Sequence, residues 1–312
     1  MRFLIALTAC LSFISASELI TPVPHSVPYD TKKAKLGERL FFDPILSRDG
    51  SIACVSCHDI FQGGAEPKNT SVGIDGQKGT VNAPTVLNAV FNIAQFWDGR
   101  AEDLKEQAKG PIVNPIEMDN TFENLVAVLN KSEYKKAFAE IYPEGINAET
   151  IADAIADAIA EYEKRLITPG SRFDSYLKGD SNALTSVEKE GYALFKSKGC
   201  ISCHHGVNIG GNQYQRFGAV IPNEQIGRDN QGRFGVTGDP EDRYYLKVPT
   251  LRNISKTAPY FHDGSVASLH EAVKLMSFHQ LGIELKKDEV NKIVQFLLTL
   301  DADLPGETDA TR

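Results

Sequence analysis

Two five-residue stretches, CVSCH at 54–58 and CISCH at 200–204, constrain this chain more than any other feature. In a C-x-x-C-H unit two thiols are spaced to add to neighbouring vinyl groups of a porphyrin, and the adjoining histidine ligates the iron. The chain has five cysteines, one of which is Cys10; the other four, Cys54, Cys57, Cys200 and Cys203, all belong to these two units. A zinc site of four cysteines is the rival for the two pairs, but it leaves both histidines without a purpose. The expectation is two covalently attached c-type haems, with His58 and His204 as their proximal ligands.

The two units lie inside a longer internal repeat. GERLF (37–41) precedes the first and GYALF (191–195) the second, both G-x-x-L-F, and both read as helices that deliver the chain to a haem. Downstream, NAPTVLNAVFNIAQFWDGRAEDLKEQA (82–108) aligns with KVPTLRNISKTAPYFHDGSVASLHEAV (247–273). Trp97, the single tryptophan, then stands opposite His262, each thirteen residues after a matching proline and followed by Asp-Gly. Each copy closes on a helix, IAEYEKRL (159–166) and IVQFLLTL (293–300). Ile151, Ile155, Ile159, Tyr162 and Leu166 share one helical face, as do Ile293, Phe296, Leu297 and Leu300. The expected fold is all-α: two cytochrome c-like domains, residues 18–170 and 171–312. The Pro-, Gly- and Ser-bearing stretch TPGSRFDSYLKGDSN (168–182) forms the boundary between them.

Residues 1–17, with one early Arg, an apolar run and small residues at the end, read as a signal peptide, so the remainder is expected to be exported to the periplasm. No later stretch is long enough to span a bilayer. The net charge of −8 argues against a nucleic-acid partner.

The copies differ where a second axial ligand is needed. Met276 lies three residues past the end of the second aligned stretch, and its thioether is a suitable sixth ligand; the bland alternative is a core filler. The same register in the first copy gives Pro111, which cannot ligate iron. Met118 is the remaining methionine near it, and no histidine lies between His58 and His204. The first iron is therefore expected to be open and the second saturated. Gln107 and Glu117 flank Pro111 as candidates for acid–base work.

Both haem motifs, NAPTVLNA, AQFWDGRA, GPI..P.EM, KVPTLRN, PYFHDG and Met276 together resemble the bacterial dihaem cytochrome c peroxidases, the family that includes the MauG-type enzymes. The resemblance covers nearly the whole chain beyond the signal. It implies reduction of hydrogen peroxide to water, with electrons from a small c-type cytochrome or cupredoxin. It makes the first haem peroxidatic and the second the one that receives electrons. It gives Glu117 and Gln107 the distal pocket, Trp97 the space between the haems, and His262 a place beside the second haem. It further implies calcium between the domains, at Asn82, Thr257 and Pro259, and a homodimer. MauG-like oxidation of a protein side chain is a rival that Met276 argues against, since a tyrosine stands there in those enzymes. A dihaem electron carrier is another rival, and it would need Met118 as the missing ligand. One departure stands out. Many members carry a histidine that caps the peroxidatic iron, and SVGIDGQKG (71–79) has Ile74 at that position. An enzyme active without prior reduction is expected, unless movement of the Gly-rich stretch 227–238 still imposes activation.

Overall fold

The computed structural model describes residues 19–223 and 231–305; the expected signal peptide and the first part of the stretch 227–238 lie outside them. Ten α-helices follow in order: α1 (Thr31–Phe42), α2 (Leu104–Val113), α3 (Phe122–Lys131), α4 (Tyr134–Ile141), α5 (Ile151–Glu163), α6 (Arg172–Leu177), α7 (Ser186–Ser197), α8 (Phe234–Thr237), α9 (Leu269–Leu281) and α10 (Lys287–Leu298). Among the described residues the only strands are β1 (Tyr214–Arg216) and β2 (Tyr245–Lys247), an antiparallel pair that sets Tyr214 against Lys247. The chain is helical, as expected.

The G-x-x-L-F repeat has a packing reason. In each half the helix that carries the motif, α1 or α7, crosses the last helix, α5 or α10, so closely that a side chain at the glycine would collide with backbone. A Cβ on Gly37 would meet the carbonyl oxygen of Ala158 at 1.8 Å, and one on Gly191 that of Lys292 at 1.9 Å. Leu40, Phe41, Ile155, Ile159 and Tyr162 close the first core, while Tyr192, Phe195, Ile293, Phe296 and Leu297 close the second. The apolar stripes read along both terminal helices are buried throughout. Side chains supply the missing caps: Asp30 accepts from the backbone N–H groups of Lys32 and Lys33, and Thr185 forms a capping box with Glu188.

The boundary segment packs into the second core, and the chain ends cross between the halves. Residues 168–182 are not a loose connection: Phe173, on α6, lies edge-on to Tyr192 and Phe296 at 4.9 and 5.0 Å, and Asp174 pairs with Arg252 at 2.7 Å, both buried. Ile20 sits in the second core, where Arg252 donates to the Thr21 carbonyl, and Leu304 sits in the first.

The 165-residue offset between the copies persists in the backbone. Asn88 and Asn253 are both left-handed, as are Phe96 and Phe261, and the isolated bridge Gln95–Ala101 is repeated as Tyr260–Val266. Asn88 and Asn253 each donate a side-chain N–H to the hydroxyl of Thr168 at 2.8 Å. All three residues are buried, so this shared acceptor joins the halves where unpaired amides would be costly.

Candidate active site

Each C-x-x-C-H unit is a tight turn. The first three residues form a 3-10 turn, and the histidine N–H returns to the first cysteine carbonyl at 3.0 Å in both copies. Nδ1 of His58 faces the Gly64 carbonyl at 3.4 Å, and Nδ1 of His204 faces that of Ile209 at 3.3 Å. A carbonyl opposite one ring nitrogen fixes the tautomer and leaves Nε2 for a metal. Burial holds both imidazoles below the usual histidine range, His204 at about 4.

None of the four cysteines is in a disulfide. Burial pushes the thiols of Cys54 and Cys57 up to about 12 and about 11, and that of Cys200 to about 11. Among the described residues no three His, Cys, Asp or Glu side chains gather as a metal site. The zinc alternative therefore fails. The donor set, two unpaired thiols and a backbone-anchored imidazole per copy, fits a thioether-linked haem in each.

Around the second unit the fit is visible as a cavity. Cys200, Cys203 and His204 line it on one side, and Met276, on α9, lines it too, with Leu269, Val273 and Leu297 supplying apolar wall. α2 and α9 begin at the matching residues Leu104 and Leu269, so Pro111 occupies the helical position of Met276. Met118 is a buried member of the first core; its N–H donates to Pro111 and its carbonyl accepts from Arg48.

The distal candidates lie on α2 and the turn that follows it. Gln107 is half-buried on α2, within which Pro111 stands. Glu117 is half-buried in the turn; its carboxylate accepts from Asn114 Nδ2 at 2.6 Å. Burial raises its carboxyl above the ordinary range, against the opposing pull of the Asn114 bond and the Arg100 charge. Ile74 is fully buried and donates its N–H to the Glu117 carbonyl at 2.9 Å. Arg48 reaches Asp75 and Asp119 at once, tying the loop 71–79 to the Glu117 turn.

Trp97 lies between the halves. Its indole N–H donates to the Asn82 carbonyl at 2.8 Å, and its ring stands edge-on to His262 at 6.1 Å. The N–H of Asn82 donates to the His262 carbonyl, and that of Lys247 to the Trp97 carbonyl, both at 2.8 Å. Asn82 Nδ2 is engaged by the Lys68 carbonyl at 2.8 Å, which leaves Oδ1 as its remaining donor for a cation. Thr257 and Pro259 lie with Asn82 along the wall of the same cavity. Sequence reasoning passed over Lys247, a buried ammonium on that wall; its signal was its alignment with Asn82 in the repeat. It also passed over Glu163, buried at the end of α5.

Residues 31–182 match the di-haem cytochrome c peroxidase family and residues 188–301 the cytochrome c family. The chain is 49% identical to cytochrome c551 peroxidase of Nitrosomonas europaea over 96% of its own length and 89% of that protein's. It is 45% identical to cytochrome c551 peroxidase of Pseudomonas aeruginosa, covering 93% and 86% of the two chains. Among solved structures it resembles a MauG-like protein associated with microbial copper homeostasis, with a TM-score of 0.78 and 28% identity, covering 93% and 95% of the two chains. With two cytochrome c-type units, each carrying a haem-attachment turn, and relatives of this similarity along its length, the chain belongs to the di-haem cytochrome c peroxidase family, oxidoreductases acting on peroxide.

Proposed function

We propose that the chain reduces hydrogen peroxide to two waters at the first haem site, with two electrons that a small c-type cytochrome or cupredoxin delivers through the second. The observation that carries this reading is the asymmetry of two otherwise matching helices: α9 presents Met276 where α2 presents Pro111. A haem bound at the first unit supplies an iron centre with a coordination position that no side chain of α2 fills.

The residues around that position then divide the work. Glu117 takes the proton from the peroxide oxygen that binds and returns it to the oxygen that leaves, which needs a carboxyl that ionises within reach of neutrality. Burial moves it in that direction, and Asn114 holds Oε1 in one orientation. The Gln107 amide orients the bound peroxide. Ile74 contributes apolar bulk and no ligand, and the Arg48 bridges keep its loop folded against the Glu117 turn. Electrons cross between the halves beside Trp97 and His262, whose rings meet there. Calcium fits Asn82 Oδ1 with the carbonyls of Thr257 and Pro259, an oxygen set suited to a hard cation. The same reading places the protein in the periplasm, as a homodimer, after removal of residues 1–17.

The deciding experiment mixes the fully oxidised protein with peroxide and a reduced small c-type cytochrome, without pre-reduction, and follows donor oxidation. Immediate turnover is expected. A lag abolished by pre-reduction would leave the peroxidase in place but overturn the open first site. Absence of turnover after pre-reduction with calcium would overturn the peroxidase reading in favour of an electron carrier.

A further inference from the structure

Two cationic side chains are almost wholly buried in the second half, and they differ in one respect. Arg252, 1% exposed, meets the carboxylate of Asp174 at 2.7 Å. Lys247, 5% exposed, makes no ion pair with any described residue. Its backbone is fixed: it ends β2, pairs with Tyr214, and its N–H is held by the Trp97 carbonyl. Its side chain lines the cavity that His204 and Met276 share. Among the described residues no aspartate or glutamate lines that cavity, and Lys247 is the only lysine or arginine that does. A buried ammonium without a counter-charge is costly, and burial alone pulls this one down to about 8. The wall is otherwise largely apolar and carries no carboxylate of a described residue, so the missing anion has to arrive with whatever fills the cavity.

We propose that Lys247 is the anchor for a propionate carboxylate of the second haem, and that its charge raises the reduction potential of that haem. The inference rests on the reading that Cys200, Cys203 and His204 hold a haem in this cavity. A c-type haem brings two propionates, and in this cavity one lysine is available to them. A fixed cation beside the porphyrin edge favours the reduced state, in which the iron carries one positive charge less. The position adds a second consequence. Lys247 lies at the place in the repeat that Asn82 holds in the first half, and both are hydrogen-bonded by backbone to the Trp97–His262 pair. A propionate anchored by Lys247 would therefore lie toward the Trp97–His262 pair, where electrons would cross between the halves. Lys247 is a positioning residue for the cofactor and touches no peroxide.

The test is a spectroelectrochemical titration of the holoprotein and of Lys247→Met and Lys247→Arg. Methionine suits an apolar cavity and removes the charge; arginine keeps it. The second haem's midpoint should fall in K247M by roughly tenfold in the oxidised-to-reduced ratio, ~59 mV for a one-electron couple. It should stay near the native value in K247R, with the first haem's midpoint unmoved in both. A K247M protein that loses the second haem while K247R retains it also supports the anchor. A K247M holoprotein with two haems and an unchanged second midpoint overturns the proposal. A wild-type protein with a single covalent haem, counted by its pyridine haemochrome spectrum, would instead overturn the reading of the cavity itself.

Discussion

Asn82 and Lys247 make the same backbone bond from opposite halves: the first donates to the His262 carbonyl and the second to the Trp97 carbonyl, each at 2.8 Å. The two bonds cross, so each half's Pro-Thr segment holds the other half's aromatic turn. Trp97 adds a third link through its indole N–H to Asn82. Trp97 is thus held by main-chain groups on both sides, through its indole N–H to Asn82 and its carbonyl from Lys247. If Asn82 binds calcium as proposed, cation binding and the interface are coupled through that residue.

Removing that amide should uncouple calcium from the protein. A bound cation stabilises the folded state by RT ln(1 + [L]/Kd), ~2.7 kcal/mol at a hundredfold excess over Kd. Wild-type protein should gain several degrees in Tm on adding calcium and lose them with chelator. Asn82→Ala should melt at the chelated wild-type temperature, with or without calcium. An undiminished calcium response in the variant would remove Asn82 from the site.

Glu117→Gln keeps the shape and the contact with Asn114 but cannot exchange a proton. A loss of about 10²–10⁴ in kcat/KM for peroxide is expected, the usual worth of a positioned acid–base group. The pH profile carries the sharper test. Taking a proton from peroxide needs the carboxylate, so wild-type activity should fall as pH drops through the Glu117 pKa, which burial holds above the ordinary 4.5. That acid limb should vanish in the variant while the haem spectra stay put. A limb that persists unchanged in Glu117→Gln assigns it to another group.

Much of this arrangement was legible in the sequence, for identifiable reasons. The C-x-x-C-H turns are local: four covalently consecutive peptides set the cysteine and histidine positions, so spacing alone fixes the chemistry. The Pro111–Met276 contrast was legible because the two helices start at equivalent leucines, and a helix carries register faithfully over two turns. The packing of the boundary segment was not legible. Pro, Gly and Ser in 168–182 signal a turn, but Phe173 is buried against Tyr192 and Phe296, and the Asp174–Arg252 pair spans 78 positions. Lys247 was hidden for a related reason: nothing local distinguishes a lysine at a strand end from a solvated one, and its burial comes from the cavity wall and the opposite half. The crossing of the termini, Ile20 into one core and Leu304 into the other, is likewise a tertiary fact.

Ile74→His should install the cap that the proposed open first site does without. Ile74 is fully buried with its backbone held at Glu117, so an imidazole there is kept from solvent beside the proposed distal turn. The oxidised variant should show a low-spin first haem. Its initial rate without pre-reduction should fall about tenfold or more, as expected where the open form is one-tenth populated or less, and recover on pre-reduction. If the variant turns over at once with an unchanged high-spin signal, residue 74 does not control access to the iron.

Glu163 makes its own prediction, about stability. It ends α5, is 4% exposed, and its carboxyl has no hydrogen bond or ion pair with a described residue. Burial alone pushes it up to about 8 from an ordinary value of 4.5. A raised carboxyl pKa in the folded state means that the unfolded chain ionises first. Below pH 4.5 both states hold the proton and nothing is lost. Between pH 4.5 and 8 only the unfolded chain releases it, so this group subtracts stability steadily, and above pH 8 the loss is complete. At 1.36 kcal/mol per unit the ceiling is ~5 kcal/mol. Glu163→Gln, neutral at every pH, should match wild type near pH 4.5 and become progressively more stable than it up to pH 8. Urea unfolding of the two holoproteins across that range measures the difference. A constant gap between them at all pH values would mean that Glu163 is ionised and paired in the folded protein, with the haem's surroundings supplying the partner.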